Sequence, residues 1–204
     1  MNVFYEDLPE TLKINGKEYP IITDFREWIR FSDMLKSDLQ PQYKLEFLSE
    51  MFLEDTPDLY TEEGVEEVMD SITSFLSLEA LEFPNQYSGE LEEFDEKLEE
   101  VEYKDATEKK AIYYEQDAPY IISAFRREYQ VNLLSVPYMH WWEFRMLLDG
   151  LNEESQIKKR IYWRTCDVSK MEKKERMEIL KIRRSITIPE EEYVSDEDIG
   201  NAFM

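Results

Sequence analysis

Apolar positions along this 204-residue chain change their period once, near the start. Residues 11–22 read Thr-Leu-Lys-Ile, then Asn15-Gly16, then Lys-Glu-Tyr-Pro-Ile-Ile. The alternation predicts two strands. Asn-Gly supplies the two positive-φ positions that a two-residue hairpin turn requires. A small β-hairpin is therefore expected over 11–22. Pro20 has no amide donor, so its strand should end there or form an edge.

From residue 23 the period is helical. Thr23 or Asp24 can cap a first helix whose Phe25, Trp28, Ile29 and Leu35 share a face. A second helix is expected from Pro41 to about Glu54, with Tyr43, Phe47, Leu48 and Met51 as its stripe. A third should run over 61–78 with Val65, Val68, Met69, Ile72, Phe75 and Leu76 inward, its start weakened by Gly64. Ala118, Ile121, Ile122, Phe125 and Tyr129 predict a fourth over 117–129. Pro137 should open a fifth, Tyr138–Asp149, ended by Gly150. Its His140, Trp141, Phe144, Leu147, Leu148 and Leu151 make the most apolar face, the expected centre of the core. Two more follow at about 153–165 and 170–184. Ile157, Ile161 and Tyr162 should face inward on the first, and Met171, Ile179, Leu180, Ile182 and Ile186 on the second, with Ser169 or Asp167 as a cap. The expected fold is mainly α: a helical bundle with a small N-terminal β-hairpin, in which Trp28, His140, Trp141, Trp142 and Phe144 are structural core.

Between about Phe83 and Lys110 the pattern fails. Breakers (Pro84, Asn85, Ser88, Gly89) lead into Glu90, Glu92, Glu93, Asp95, Glu96, Glu99, Glu100 and Glu102, with few strong apolar residues, of which Phe94, Leu98 and Val101 mark at most a weak amphipathic turn or two. Residues 84–108 read as an acidic insert, either a solvated loop or an arm for a basic partner. One helical domain over 1–189 interrupted by this insert, then an acidic, frayed tail over 190–204, is the expected organisation.

Charge sharpens that picture. The chain carries 24 Lys and Arg against 47 Asp and Glu, a formal charge of −23. Residues 156–188 run the other way, with 11 basic and four acidic side chains. An overall charge this negative repels phosphate backbones and anionic membranes, so neither nucleic acid nor membrane is an expected partner. The basic segment has three readings, in falling order: a solvated face paired with the acidic body, a contact for an acidic protein, and a nucleic-acid contact. Its candidate partner-binding residues are Lys158, Arg160, Arg164, Lys173, Lys174, Arg183 and Arg184.

Candidate chemistry is sparse. Five dispersed glycines exclude a phosphate-cradling loop. One His and one Cys cannot make a Cys/His zinc site, and the acid runs lack the glycine-centred calcium-loop pattern. His140 and Cys166 are the available nucleophile–base pair, and a buried, hydrogen-bonded His140 with Cys166 as small filler fits their surroundings better. We expect no catalytic residues, no metal site, no cofactor and no enzyme activity. A lone cysteine forms no internal disulfide. Met1–Glu10 has neither the basic region nor the apolar core of a signal peptide, and no apolar run approaches a bilayer span, so a cytoplasmic protein is expected.

Several of these segments together resemble a known family. They are Lys13–Ile21 running into Thr23-Asp24-Phe25-Arg26 and Trp28; Asp117-Ala118-Pro119-Tyr120-Ile121 with Ala124-Phe125 and Tyr129; and Tyr138-Met139-His140-Trp141-Trp142-Glu143-Phe144 leading to Leu147-Leu148-Asp149-Gly150-Leu151. With Arg164, Asp167 and the basic helix after them, this order resembles the phage gene-product-fifteen family of tailed phages and prophages of Gram-positive bacteria, from about Leu12 to Pro189. The resemblance implies a tail-assembly chaperone working in the host cytoplasm on phage tail proteins, the tape-measure protein foremost. It implies no catalytic residues. A structural component of the mature tail is the alternative, and a homo-oligomer is compatible with either.

Overall fold

The computed structural model describes residues 2–78, 81, 111–169 and 171–187. The expected insert at 84–108 and tail at 190–204 lie outside them. The chain is mainly α. Strands β1 (Thr11–Ile14) and β2 (Lys17–Pro20) pair antiparallel, with Leu12 opposite Tyr19 and Ile14 opposite Lys17. Asn15 and Gly16 have φ of 50° and 77°, the left-handed pair that the Asn-Gly turn called for. Leu12 and Ile14 point inward, and Ser71 on α3 (Glu62–Leu76) donates its hydroxyl to the Lys13 carbonyl.

Helix α1 (Phe25–Leu35) is capped by Asp24, whose carboxylate accepts from the Arg26 amide. Trp28 is fully buried, and its indole donates to the Ile22 carbonyl. Phe31, absent from the expected stripe, is fully buried too, while Ile29 is half-buried.

Helix α2 (Pro41–Glu50) starts at its proline as expected but stops short of Glu54. The cause is tertiary. Phe52 pairs in an isolated bridge with Ile21, the Ile22 amide donates to Met51, and the Leu53 amide donates to Pro20. Extended pairing beside β2 therefore takes residues that the apolar pattern would allow to stay helical. Tyr43 is exposed rather than inward, and Lys44 is buried instead. The Lys44 ammonium donates to the Leu35 carbonyl at the end of α1, where a cation complements unsatisfied carbonyls.

Helix α3 corrects the reading of Gly64. A Cβ there would stand 2.4 Å from the Asp58 carbonyl oxygen. The glycine is thus a close-approach position in the Asp58–Thr61 turn, where Thr61 caps the helix through the Gly64 amide. Helix α4 (Tyr114–Glu128) begins three residues before Asp117, which lies in its first turn.

Helix α5 (Trp141–Asp149) begins later than Tyr138. His140 is its N-cap: Nδ1 accepts from the Trp142 amide at 3.0 Å. Nε2 lies 3.0 Å from the Pro9 carbonyl, an acceptor, so Nε2 carries the proton. The segments entering α1 and α5 are laced together, Phe25 amide to Met139 carbonyl and Trp141 amide to Thr23 carbonyl. This lacing, invisible to periodicity, delays the start of α5.

The core sits where α1, α3, α4 and α5 meet. Trp28 packs on Phe31 and Phe75, Phe75 on Trp142 and His140, and Phe144 stacks between Phe25 and Phe125. Trp28, His140, Trp141, Trp142 and Phe144 are all buried. Each such aromatic removes 150–250 Å² from water, at about 25 cal/mol per Å². Trp142 also donates its indole N–H to the Phe75 carbonyl.

Candidate protein-binding surface

The basic segment folds into two helices, α6 (Gln156–Thr165) and α7 (Lys173–Ile186). Ser155, fully buried, caps α6 through the Lys158 amide. Ile157 faces the core with no exposure; Ile161 is half-buried and Tyr162 exposed, against expectation. Helix α7 starts at Lys173 rather than Lys170, because Asp167 and Ser169 bond to each other and do not cap it. Only Ile179 and Ile186 of its apolar side are buried; Met171, Leu180 and Ile182 are half-buried.

The predicted cations separate into an inner and an outer group. Arg164 is inner: 2% exposed, it donates through Nη1 and Nη2 to both carboxylate oxygens of Asp117, at 2.5 and 3.0 Å. The same guanidinium binds the carbonyls of Ala111 and Ile186 and lies 4.6 Å from the Tyr113 ring centroid. Arg160, one turn earlier, donates Nε to Asp117 at 2.7 Å and lies over Tyr120. Asp117 accepts a further bond from the Tyr113 amide. Burial alone would raise the Asp117 carboxyl, but the two arginines and that amide hold it below its ordinary 3.8. Arg183 is half-buried and donates to the Trp163 and Cys166 carbonyls, closing the end of α6 against α7. Arg164, expected at the surface, is therefore interior, and Arg160 and Arg183 are engaged within the chain.

Asp117 was legible in the sequence only as a helix start, and its role as the hub of this cluster was missed. The available signal was the pair Arg160 and Arg164, four residues apart and so on one face of α6, which calls for a carboxylate opposite.

The outer group differs. Lys158 stays near α6, 3.4 Å from Glu153. Lys173, Lys174 and Arg184 are exposed on α7. Lys173, Met177, Lys181 and Arg184 follow helical spacing along one face, with Lys174 beside them. Met177 is 62% exposed at its middle. None of these four cations forms an ion pair with a described residue. Of the two acids of the helix, Glu175 falls off this face, and Glu178, four residues after Lys174 and three before Lys181, borders it. The result is a cationic strip with an apolar centre on a chain of charge −23.

Other chemistry is thin among the described residues. No group of three or more His, Cys, Asp or Glu is placed to hold a metal ion. No helix there is long and apolar enough to cross a membrane. Burial lowers the His140 pKa below 6.5 despite its Pro9 partner, so the ring is a neutral cap at neutral pH. Cys166 is half-buried at the end of α6, with Sγ toward Arg183.

Neither the curated proteins nor the solved structures contain a match to this chain. Residues 4–188 match the family described as Bacteriophage Gp15 protein, a span that takes in the hairpin, the aromatic core and the whole basic segment. That match points to a phage structural or assembly-related protein, and the chain belongs to the bacteriophage Gp15 family.

Proposed function

We propose that this chain is a tail-assembly chaperone, without enzymatic activity, that acts in the host cytoplasm on phage tail proteins, the tape-measure protein foremost. The observation that carries the reading is the outer face of α7: exposed cations around exposed Met177, held on a rigid mount by the Asp117–Arg164 cluster. Such a face suits an amphipathic helix with an acidic flank, laid across α7 in the manner of helix recognition. The remaining acidic surface would keep the complex dispersed while the partner's apolar stripes are covered.

Co-expression with the tape-measure protein tests this. The expected outcome is a larger soluble fraction of the partner and co-purification of both chains. Neither gain nor co-purification would refute it. Mass spectrometry of purified particles separates the chaperone, absent from virions, from a structural tail component, present in them.

A further inference from the structure

Two surface features of this chain are complementary, and both lie uncovered on it. The first is the outer face of α7, where Met177 is 62% exposed among Lys173, Lys174, Lys181 and Arg184. The second is a closed turn over residues 2–6. The Tyr5 and Glu6 amides both donate to the Asn2 carbonyl. The Asn2 amide donates to the Glu6 carboxylate at 2.9 Å, and the Asn2 side-chain oxygen accepts from the Phe4 amide at 3.1 Å. These inward bonds leave Phe4 and Tyr5 facing solvent, 88% and 87% exposed. Glu6, Asp7 and Glu10, which follow, are exposed too. The turn has a firm mount. Leu8 packs against the core, the Pro9 carbonyl accepts from His140 Nε2, and the Glu10 carbonyl accepts from the Ile21 amide. Single apolar residues are ordinary on a surface, but two consecutive exposed rings on a braced turn mark a contact.

We infer that the 2–6 turn of one copy docks on the α7 face of a second copy, with Phe4 and Tyr5 against Met177 and the acids against the lysines and Arg184. Neither feature covers the other within one chain, because the two rings and Met177 are all exposed there. The contact is heterologous: each copy offers a turn and receives one, so association continues into a ring or an open chain. Its small extent makes it weak and reversible. The overall charge of −23 opposes approach. At about 0.15 M salt, however, charges more than about 8 Å apart are largely screened, whereas those in contact still attract. A tail protein then reaches α7 by displacing a neighbouring copy. The inference stands on the two described surfaces and goes beyond the chaperone reading.

Sedimentation equilibrium of the full chain tests this at about 0.15 M salt and concentrations up to about 500 μM, where mass action populates a weak contact. Two variants accompany the native chain. Phe4→Ala, Tyr5→Ala removes the turn's rings, and Lys173→Gln, Lys174→Gln, Lys181→Gln, Arg184→Gln removes the receiving charges. All of these positions are exposed, and circular dichroism checks that each variant folds. The expected result is a mean mass that rises with concentration for the native chain, while each variant alone keeps the mass of one chain. An equimolar mixture of the two variants should form a one-to-one dimer and nothing larger, because each supplies the half that the other lacks. A native chain that stays monomeric throughout would overturn the inference. So would association that survives in either variant alone, which would place the contact elsewhere, or a mixture that yields no dimer. No phage partner enters the measurement, so its failure leaves the chaperone reading to its own test.

Discussion

Arg164 grips Asp117 with both ends of its guanidinium across 47 residues of sequence. The pair joins the first turn of α4 to the last turn of α6, and the remaining donors of Arg164 tie in Ala111 and Ile186. Removing Asp117 strands the buried Arg164 charge, whereas removing Arg164 leaves Asp117 with Arg160 and the Tyr113 amide. Asp117→Leu should lower stability by about 3–5 kcal/mol and Arg164→Met by less, and the double variant should cost much less than their sum. Urea midpoints for the three variants measure this. Additive losses would show that the two side chains are not coupled.

Two windows of acid sensitivity follow from the titrating groups. His140 has its folded pKa depressed below 6.5, so its contribution is complete above 6.5 and declines as pH falls from there toward the folded value. Protonated Nδ1 can no longer accept from Trp142, which removes the cap of α5. His140→Asn, an acceptor that does not titrate, should flatten the change in urea midpoint between about pH 7 and about pH 5. Asp117, also depressed, contributes fully above 3.8, and its share is lost as pH falls below that through its folded value. Asp117→Asn should remove the lower window and leave the upper one.

Gly64 gives a steric prediction. Its missing Cβ makes room for the Asp58 carbonyl, which is backbone and yields only if the turn moves. Gly64→Ala raises helix propensity yet should destabilise by about 1–3 kcal/mol. Thermal unfolding would show it. A stabilised variant would mean that the turn adapts freely.

How much of this was legible depended on whether a feature is local. Asn15-Gly16 dictated its own turn, and the spacings through Val68 to Phe75 and Ile121 to Phe125 dictated helices with those faces buried. Helix ends marked by a local cap or breaker were legible, as at Asp24, Pro41, Thr61 and Gly150, but those set by distant pairings were not: Ile21 with Phe52 ends α2, and Thr23 with Trp141 delays α5. The same distinction governs the basic arm. Its excess of positive charge is a matter of counting, but separating interior Arg164 from exposed Arg184 requires knowing that Asp117 lies opposite α6. Lys44 shows the converse: a cation at a position that Tyr43 was expected to fill is buried because α1 ends there.

The claim at the centre is that the outer face of α7 binds a phage tail protein. Its most direct test is co-purification of the tape-measure protein with the native chain and with the Lys173→Glu, Lys174→Glu, Lys181→Glu, Arg184→Glu variant. These exposed positions should leave stability within about 0.5 kcal/mol per substitution. The account predicts that the native chain retains the partner and the folded, charge-reversed chain loses it. Equal recovery of the partner by both would contradict it.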